Sequence, residues 1–299
     1  MRQKKEHNMK PVIETDHLTK NYGKSRGIRD LTLRVGEGEI FGFIGPNGAG
    51  KSTTIRTLLG LIAPTGGSAR VLGMDISHRR EILARTGYMA SESAFYPGMR
   101  VAQLLALSAS LRGVDCTVEA KQLCARFELD PQKKVETLSL GNRKKVAIVC
   151  AFQHKPDLYI LDEPTSGLDP LMQKEFFALL HERHEAGASV FLSSHVLSEI
   201  QRHCTRAAII REGELIAADR VEALTGTGVR RVTLHGVSEA PDLPGIQRIS
   251  GVADSISFFY RGALHDLLAA LQMLPVTEMT MTEPELEEIF LHYYEKKGA

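Results

Sequence analysis

Short, uniformly apolar runs alternate with longer stretches of helical periodicity through the first two thirds of the chain. Ile40–Gly45, Leu158–Asp162 and Ser189–Ser194 lack the polar–apolar alternation of a half-exposed strand, so they are predicted to be strands buried on both faces. Lys51–Leu59 and Leu171–Glu185 place apolar residues at helical spacing. This succession of strands and helices is typical of an α/β protein built on a parallel sheet.

Three regions add to this α/β pattern. His17–Glu39 predicts short antiparallel strands packed against the core, and Ala207–Ala218 predicts a hairpin that turns at Glu212-Gly213. Val101–Arg126 predicts two amphipathic helices with a break near Gly113. We interpret this last region as part of a helical insertion that covers about residues 90–150.

The composition changes after Leu224, where Thr225–Gly228 (TGTG) has the character of a linker. Beyond it we predict strands at Ser255–Tyr260 and Pro275–Met281 and a helix at Ala263–Met273 between them. A closing helix is predicted from four residues on one face: Leu286, Ile289, Phe290 and Tyr293. The predicted domains are therefore a flexible extension at 1–10, an α/β domain at 11–225 and a small α+β accessory domain at 229–299.

Composition narrows the classes of protein that this chain can be. Of its 299 residues, 37 are basic and 36 acidic, which gives a net charge of +1. The chain therefore lacks the excess of basic residues that sequence-independent nucleic-acid binding needs. The apolar run at Val101–Leu111 is far shorter than the about 20 residues of a membrane-spanning helix. The basic start of the chain has no apolar stretch behind it, which argues against a secretory signal. Four cysteines without a CxxC pair indicate reduced thiols in a cytosolic protein.

The strongest motif is a glycine-rich turn between the first buried strand and the helix that follows it. Residues 45–52 read GPNGAGKS and match G-x-x-x-x-G-K-[ST], the phosphate-binding loop of nucleoside triphosphatases. Glycines let backbone N–H groups converge on phosphate oxygens, and the helix N-terminus adds a partial positive charge. Lys51 would reach the β- and γ-phosphates, and the Ser52 hydroxyl would bind Mg²⁺. The predicted nucleotide-binding residues in this segment are Gly45, Asn47, Gly48, Ala49, Gly50, Lys51, Ser52 and Thr53.

A pair of carboxylates ends the second buried strand. Leu158–Asp162 delivers Asp162 and Glu163 to the carboxyl edge of the predicted sheet, where open α/β sheets bind their ligands. Asp162 is predicted to hold Mg²⁺ together with Ser52. Glu163 is then placed to polarise a water that attacks the γ-phosphate, so it is the predicted catalytic base. Lys51, which would bind the phosphates, is also counted among the predicted catalytic residues.

Further motifs follow in a characteristic order. After the phosphate-binding loop come LSLGN at residues 138–142, LDEP at 161–164, SGLD at 166–169 and the isolated His195. This order resembles that of the ATP-binding-cassette (ABC) transporter ATPases over roughly residues 11–220. With its α+β tail, the chain looks like the drug-, bacteriocin- and sodium-export branch of single-cassette subunits. The resemblance implies a P-loop fold of the ABC type, with an antiparallel β subdomain and a helical insertion.

The resemblance also implies roles for residues outside the phosphate-binding loop. Ser139 and Gly141 would contact the nucleotide held by a second copy of the chain, and Asp169 would couple the two sites across the dimer. His195 would contact the γ-phosphate and help to organise the attacking water. Tyr22 would stack on adenine, an interaction typically worth about 1–3 kcal/mol.

One motif departs from the family pattern. The family usually has a glutamine after the strand that ends in GYM, and here Ser91 stands at that position, followed by Glu92. A serine side chain is too short to reach Mg²⁺ without a bridging water. Either Glu92 supplies an oxygen ligand instead, or the contact is indirect.

The resemblance implies an ATPase that uses ATP and Mg²⁺ as the subunit of a membrane exporter. Two copies would close head to tail around two ATP molecules and drive separate transmembrane permease subunits, at the cytoplasmic face of the cell membrane. One alternative is a soluble ABC ATPase that acts on ribosomes or DNA, although ribosomal members carry two cassettes and chromosome-type members carry a long coiled coil. Another alternative, motivated by Ser91, is a catalytically weak binding module. The accessory domain could serve as a dimer clamp, a sensor or a dock for the permease.

Overall fold

The computed structural model describes residues 10–23, 25–225, 229–252 and 254–282. The chain divides into two compact units, Met1–Asp219 and Arg220–Ala299. This division lies a few residues before the TGTG segment in which the sequence predicts a linker, most of which is outside the described residues. The predicted flexible extension, apart from Lys10, and the predicted closing helix are outside them too.

Strands and helices alternate along the first unit, as the sequence predicts. Their bounds in chain order are β1 (Pro11–Tyr22), β2 (Ser25–Gly36), β3 (Ile40–Ile44), α1 (Lys51–Leu58), β4 (Gly66–Val71), β5 (Met74–Asp75), α2 (Arg79–Ala84), β6 (Thr86–Met89), α3 (Val101–Ser110), α4 (Thr117–Arg126), α5 (Leu140–Phe152), β7 (Leu158–Asp162), α6 (Pro170–Glu185), β8 (Ser189–Ser194), α7 (Leu197–His203), β9 (Arg206–Arg211) and β10 (Glu214–Arg220).

A six-stranded sheet forms the centre of this unit, in the order β10-β9-β3-β8-β7-β6. The inner strands β3, β7 and β8 are buried at every position and pair in parallel, which explains their uniformly apolar sequences. Phe191 on β8 packs against Phe41 and Phe43 on β3, with ring centroids 5.9 and 5.2 Å apart. The parallel register brings the carboxyl ends of β3, β7 and β8 to one edge, and the functional side chains follow these ends.

A second, four-stranded sheet has the order β2-β1-β4-β5 and is antiparallel. It confirms the antiparallel strands predicted near the start of the chain. Apolar residues of this sheet, such as Ile13, Leu33 and Val71, share one core with Phe43 and Ile55 of the α/β sheet and α1. The sheet therefore packs directly behind the phosphate-binding segment.

The predicted insertion consists of α3, α4 and the start of α5, between β6 and β7. Gly113 has a positive φ of 68° in the turn between α3 and α4, at the predicted break. Phe152 at the end of α5 stacks on Tyr159 of β7 with ring centroids 4.4 Å apart, so α5 is anchored on the central sheet. The LSLGN motif lies at the opposite end of α5 from this anchor.

Ion pairs connect α4 of the insertion to α6 of the core. Glu119 pairs with Arg183 and lies 2.7 Å from the Lys155 amine, and these cations hold the pKa of its carboxyl below the ordinary value despite its partial burial. Arg126 pairs with Glu175 and also binds Glu182 at 2.6 Å. The insertion is thus joined to α6, the helix that begins directly after Asp169.

The second unit has its own sheet and its own core. Its elements are α8 (Val221–Thr225), β11 (Val229–His235), β12 (Ile246–Val252), β13 (Ser255–Arg261), α9 (Leu264–Leu271) and β14 (Glu278–Thr282). The four strands form an antiparallel sheet in the order β12-β13-β11-β14. Ile256, Phe258 and Tyr260 are buried on one face of β13, as their alternation predicts, and pack with Leu267 of α9. The predicted final strand begins three residues later than expected, at Glu278.

Candidate nucleotide-binding and catalytic site

The turn between β3 and α1 is shaped by glycines in positions where other residues do not fit. Gly48 and Gly50 have positive φ angles of 79° and 109°, and the Ala49 N–H donates to the Pro46 carbonyl at 3.1 Å. At Gly45, a Cβ atom would lie 2.4 Å from the carbonyl oxygen of Ile210 on β9. The glycines therefore let the loop curl tightly against the sheet and leave the N–H groups at the start of α1 for an anionic ligand.

Lys51 lies inside this loop and is 5% exposed. Its amine donates to the carbonyl oxygens of Gly45 at 2.6 Å and Pro46 at 3.2 Å, and lies 3.1 Å from a carboxylate oxygen of Glu163. The loop that would hold a phosphate thus also holds the cation that would bind it. Lys51 and Glu163, which are both predicted catalytic residues, form an ion pair in the structure.

Asp162 is 1% exposed at the end of β7 and accepts two hydrogen bonds from hydroxyl groups. Ser52 donates to one carboxylate oxygen at 2.6 Å, and Ser193 donates to the other at 2.5 Å. A carboxylate and a hydroxyl in contact are hard oxygen donors of the kind that Mg²⁺ takes, usually together with waters and phosphate oxygens. The residues at this point therefore fit a Mg²⁺ ion, which Ser52 and Asp162 would hold.

Ser193 is a site residue that the sequence reasoning did not single out. It faces Asp162 because β7 and β8 pair in parallel with these two residues in register. Its hydroxyl and carbonyl also accept hydrogen bonds from the Glu163 N–H, at 3.2 and 3.1 Å. The available signal was the SVFLSS sequence, a buried strand that ends in two serines at the carboxyl edge of the sheet.

Glu163 follows β7 with a positive φ of 47°, an uncommon conformation for a residue other than glycine. Such conformations persist where the surroundings hold them, often at functional sites. The carboxylate is held between two cationic or protonatable groups, the Lys51 amine and the Nδ1 atom of His195 at 3.0 Å. The structure thus brings together the three predicted catalytic residues, Glu163, His195 and Lys51. The His195 side chain is 45% exposed, so it is open to a ligand or partner.

A cavity of about 600 Å³ extends from the phosphate-binding loop. It is lined by Asn47, Gly48, Ala49, Gly50, Lys51, Ser52, Thr53, Ser91, Glu92, Glu163 and Ser166. Ser91 and Glu92, the two residues at the position of the family's glutamine, both lie on its wall. Both can therefore offer an oxygen to the cavity in place of the glutamine, and Ser166 is a further lining residue to which the sequence analysis gave no role.

Several predicted site residues lie off this cavity wall, among them the three that are predicted to act across the dimer. Ser139 is exposed and caps α5 by accepting a hydrogen bond from the Asn142 N–H at 3.3 Å. Asp169 is exposed and caps α6 through the Met172 N–H at 3.0 Å. Gly141 lies in the first turn of α5, beside the carbonyl oxygen of Gly167. Each of these residues is held by a local cap or turn, while none of them lines the cavity of its own chain.

Tyr22, the predicted adenine-stacking residue, is the last residue of β1 and is 45% exposed. The Lys20 amine lies 5.2 Å from the centre of its ring. The ring is not part of the cavity wall. Its exposed face is consistent with the predicted stacking, which stays a prediction.

A Tyr22→Ala variant should bind ATP at least about fivefold more weakly, because base–aromatic stacking contributes about 1–3 kcal/mol. Titration calorimetry with ATP measures this change. Tyr22→Trp is the matched control, since it keeps an aromatic face and should bind within about twofold of the original affinity. Equal affinities of the alanine and tryptophan variants would rule out Tyr22 as the stacking residue.

The phosphate-binding loop with its buried lysine follows one strand of the central sheet, and the carboxylate pair ends a strand two positions away in that sheet. Together these features define the class of P-loop nucleoside triphosphatases. Within that class, the sequence profile described as "ABC transporter" matches residues 28–166. The chain belongs to the family of ABC transporter ATP-binding proteins, whose members are in general ATPases. This confirms both the predicted family and the predicted P-loop fold of the ABC type.

Individual relatives support the same assignment. The bacitracin transport ATP-binding protein BcrA of Bacillus licheniformis is 38% identical over 213 residues, which cover 70% of this chain and 69% of BcrA. The linearmycin resistance ATP-binding protein LnrL of Bacillus subtilis (strain 168) is 29% identical, covering 94% of this chain and 97% of LnrL. A solved structure of an ATP-binding subunit of an ABC transporter is 30% identical with a TM-score of 0.67, covering 72% of this chain and 92% of that one. The chain is therefore an ABC transporter ATP-binding subunit.

Within the described part of the chain, no helix combines the length and the apolar character needed to cross a membrane. In the apolar run Val101–Leu111, the helix α3 extends from Val101 to Ser110.

Proposed function

We propose that this chain is the ATP-hydrolysing subunit of a membrane exporter and that it acts as a head-to-tail homodimer. One observation carries the proposal. Lys51 and Glu163 line one cavity, and Asp162 and His195 are hydrogen-bonded to its wall residues Ser52 and Glu163, whereas Ser139, Gly141 and Asp169 lie off this wall and act as, or lie beside, helix caps. A single chain then holds half of each reaction centre, and a second copy supplies the other half.

In this proposal the phosphate-binding loop holds the triphosphate, and the Lys51 amine moves from Glu163 to the phosphate oxygens. Ser52 and Asp162 hold Mg²⁺, which neutralises charge on the phosphates when bound. Glu163 accepts a proton from the attacking water, and His195 keeps the Glu163 carboxylate in place. Ser139 and Gly141 of the second copy contact the γ-phosphate, so ATP joins the two copies and hydrolysis releases them.

The coupling to transport and its direction rest on the relatives. A relative named for linearmycin resistance supports outward transport, since a resistance protein that acts by transport carries a compound away from its target. We infer separate transmembrane permease subunits as partners and a position at the cytoplasmic face of the membrane. A role on ribosomes or DNA is not favoured, because these relatives are named as transport and resistance proteins and the net charge is only +1.

The half-site arrangement makes a specific prediction for purified protein. ATPase activity per molecule should fall on dilution, roughly in proportion to concentration once this is below the dimer dissociation constant, because each complete site needs two chains. Phosphate release measured over a dilution series at saturating Mg-ATP tests this expectation. An activity per molecule that stays constant down to nanomolar protein would contradict a site shared between two copies.

Ser139→Arg is the matched variant for this experiment. Ser139 lies off the cavity of its own chain, so the variant should still bind ATP as a monomer with the original affinity. A large side chain at this exposed cap should prevent the second copy from closing, and ATPase activity should fall at least about tenfold at every protein concentration. A loss of ATP affinity in the monomer would instead place Ser139 in the site of its own chain.

A further inference from the structure

Lys144, the fifth residue of α5, occupies an unfavourable place for a lysine. Its side chain is 4% exposed, and burial lowers the pKa of its amine, while the carboxylates of Asp162 and Glu163 act in the opposite direction. An apolar side chain of similar length would fill the same space without this cost.

The amine of Lys144 makes a specific contact that explains its presence. It donates a hydrogen bond to the backbone carbonyl of Ser91 at 2.9 Å. Ser91 and Glu92 belong to the loop after β6, and both residues line the nucleotide cavity. This contact uses the main chain of residue 91, so it does not depend on the side chain that replaces the family's glutamine.

The other end of this connection is the cap of the same helix. Ser139 and Gly141 come three to five residues before Lys144, at the exposed start of α5. The rest of α5 is anchored by Phe152 on the central sheet. Lys144 therefore links a wall of the chain's own cavity to the helix start that the chain would present to a second copy.

We propose that Lys144 is a positioning residue that couples the two half-sites carried by one chain. Through the Ser91 carbonyl, it sets the position of Ser139 and Gly141 according to what fills the chain's own nucleotide cavity. The inference rests on the proposed function, because it assumes that these two residues complete the site of a second copy. The link is the hydrogen bond from the Lys144 amine to the Ser91 carbonyl, and Lys144 takes part in no chemical step.

Lys144→Met tests the link in the full-length chain. The variant keeps a long, flexible side chain but cannot donate a hydrogen bond. ATP affinity of the monomer, measured by titration calorimetry, should stay within about twofold, whereas kcat should fall about tenfold, which corresponds to about 1.4 kcal/mol. In a Glu163→Gln background, ATP-driven dimerisation followed by sedimentation should weaken by a similar factor.

Two further variants separate this role from a merely structural one. Lys144→Arg keeps a donor and should recover most of the lost kcat, while Lys174→Met, at an exposed position of α6, should leave kcat unchanged. Thermal unfolding should show Lys144→Met to be at least as stable as the original protein, since the buried charge is removed. A stable Lys144→Met variant with the original kcat and dimerisation overturns the inference.

The outcome also distinguishes this inference from the proposed function. If the original chain shows neither Mg-dependent ATPase activity nor ATP-driven dimerisation, the proposed function fails. If the original chain shows both and Lys144→Met behaves identically, only the role of Lys144 fails. A Lys144→Met variant that loses ATP affinity in the monomer overturns the inference too, because the lysine would then act within its own cavity.

Discussion

Glu163→Gln should lower the ATPase rate about a thousandfold while ATP still binds, because a positioned general base typically contributes 10²- to 10⁴-fold. Glutamine has the shape of glutamate but cannot accept the proton of the attacking water. The carboxylate of Glu163 lies between the Lys51 amine and His195, and the backbone N–H of Glu163 is held by Ser193. The amide should therefore occupy the same place, and the defect should be confined to chemistry.

Two measurements check this expectation. Phosphate release under single-turnover conditions should show the slow step, and size-exclusion chromatography with Mg-ATP should show a dimer that persists. Glu163→Asp is a useful control, since it keeps the carboxylate but shortens the side chain, and it should retain intermediate activity. A Glu163→Gln variant that hydrolyses ATP at the original rate would show that another group is the base.

Lys51→Ala should lose both hydrolysis and tight binding, which separates the role of Lys51 from that of Glu163. The amine is buried and touches the carbonyls of Gly45 and Pro46 as well as Glu163, so its removal leaves these groups without their cation. A hydrogen bond to a charged group contributes about 1.5–3 kcal/mol, so ATP affinity should fall about ten- to hundredfold. Mg-dependent phosphate release should fall to the background level.

Lys51→Arg is the matched control because it keeps the charge. A guanidinium is planar and wider than an ammonium, so it cannot occupy the small space between two loop carbonyls in the same way. We expect partial recovery of ATP binding and little recovery of hydrolysis. If Lys51→Ala binds and hydrolyses ATP like the original chain, the phosphate-binding loop has no catalytic role. If the original chain itself releases no phosphate, the alternative of a catalytically weak binding module gains support.

Local sequence determined those parts of the protein whose structure depends on neighbours along the chain. The buried strands β7 and β8 have the predicted bounds, and α1 begins at Lys51, because uniform apolarity and a glycine-rich turn are local signals. The motif around Lys51, Asp162 and Glu163 was likewise readable, since backbone amides, a cation and two carboxylates at fixed spacing carry their chemistry with them.

Contacts between distant residues could be decided only by the tertiary structure. Ser193 reaches Asp162 because two strands pair in parallel in one register, and no local pattern states that register. Lys144 reaches the Ser91 carbonyl 53 positions away, a contact that no local pattern in the sequence indicates. Hydrophobic periodicity fixes which face of an element is buried, whereas the polar groups that meet there are fixed by how the elements pack.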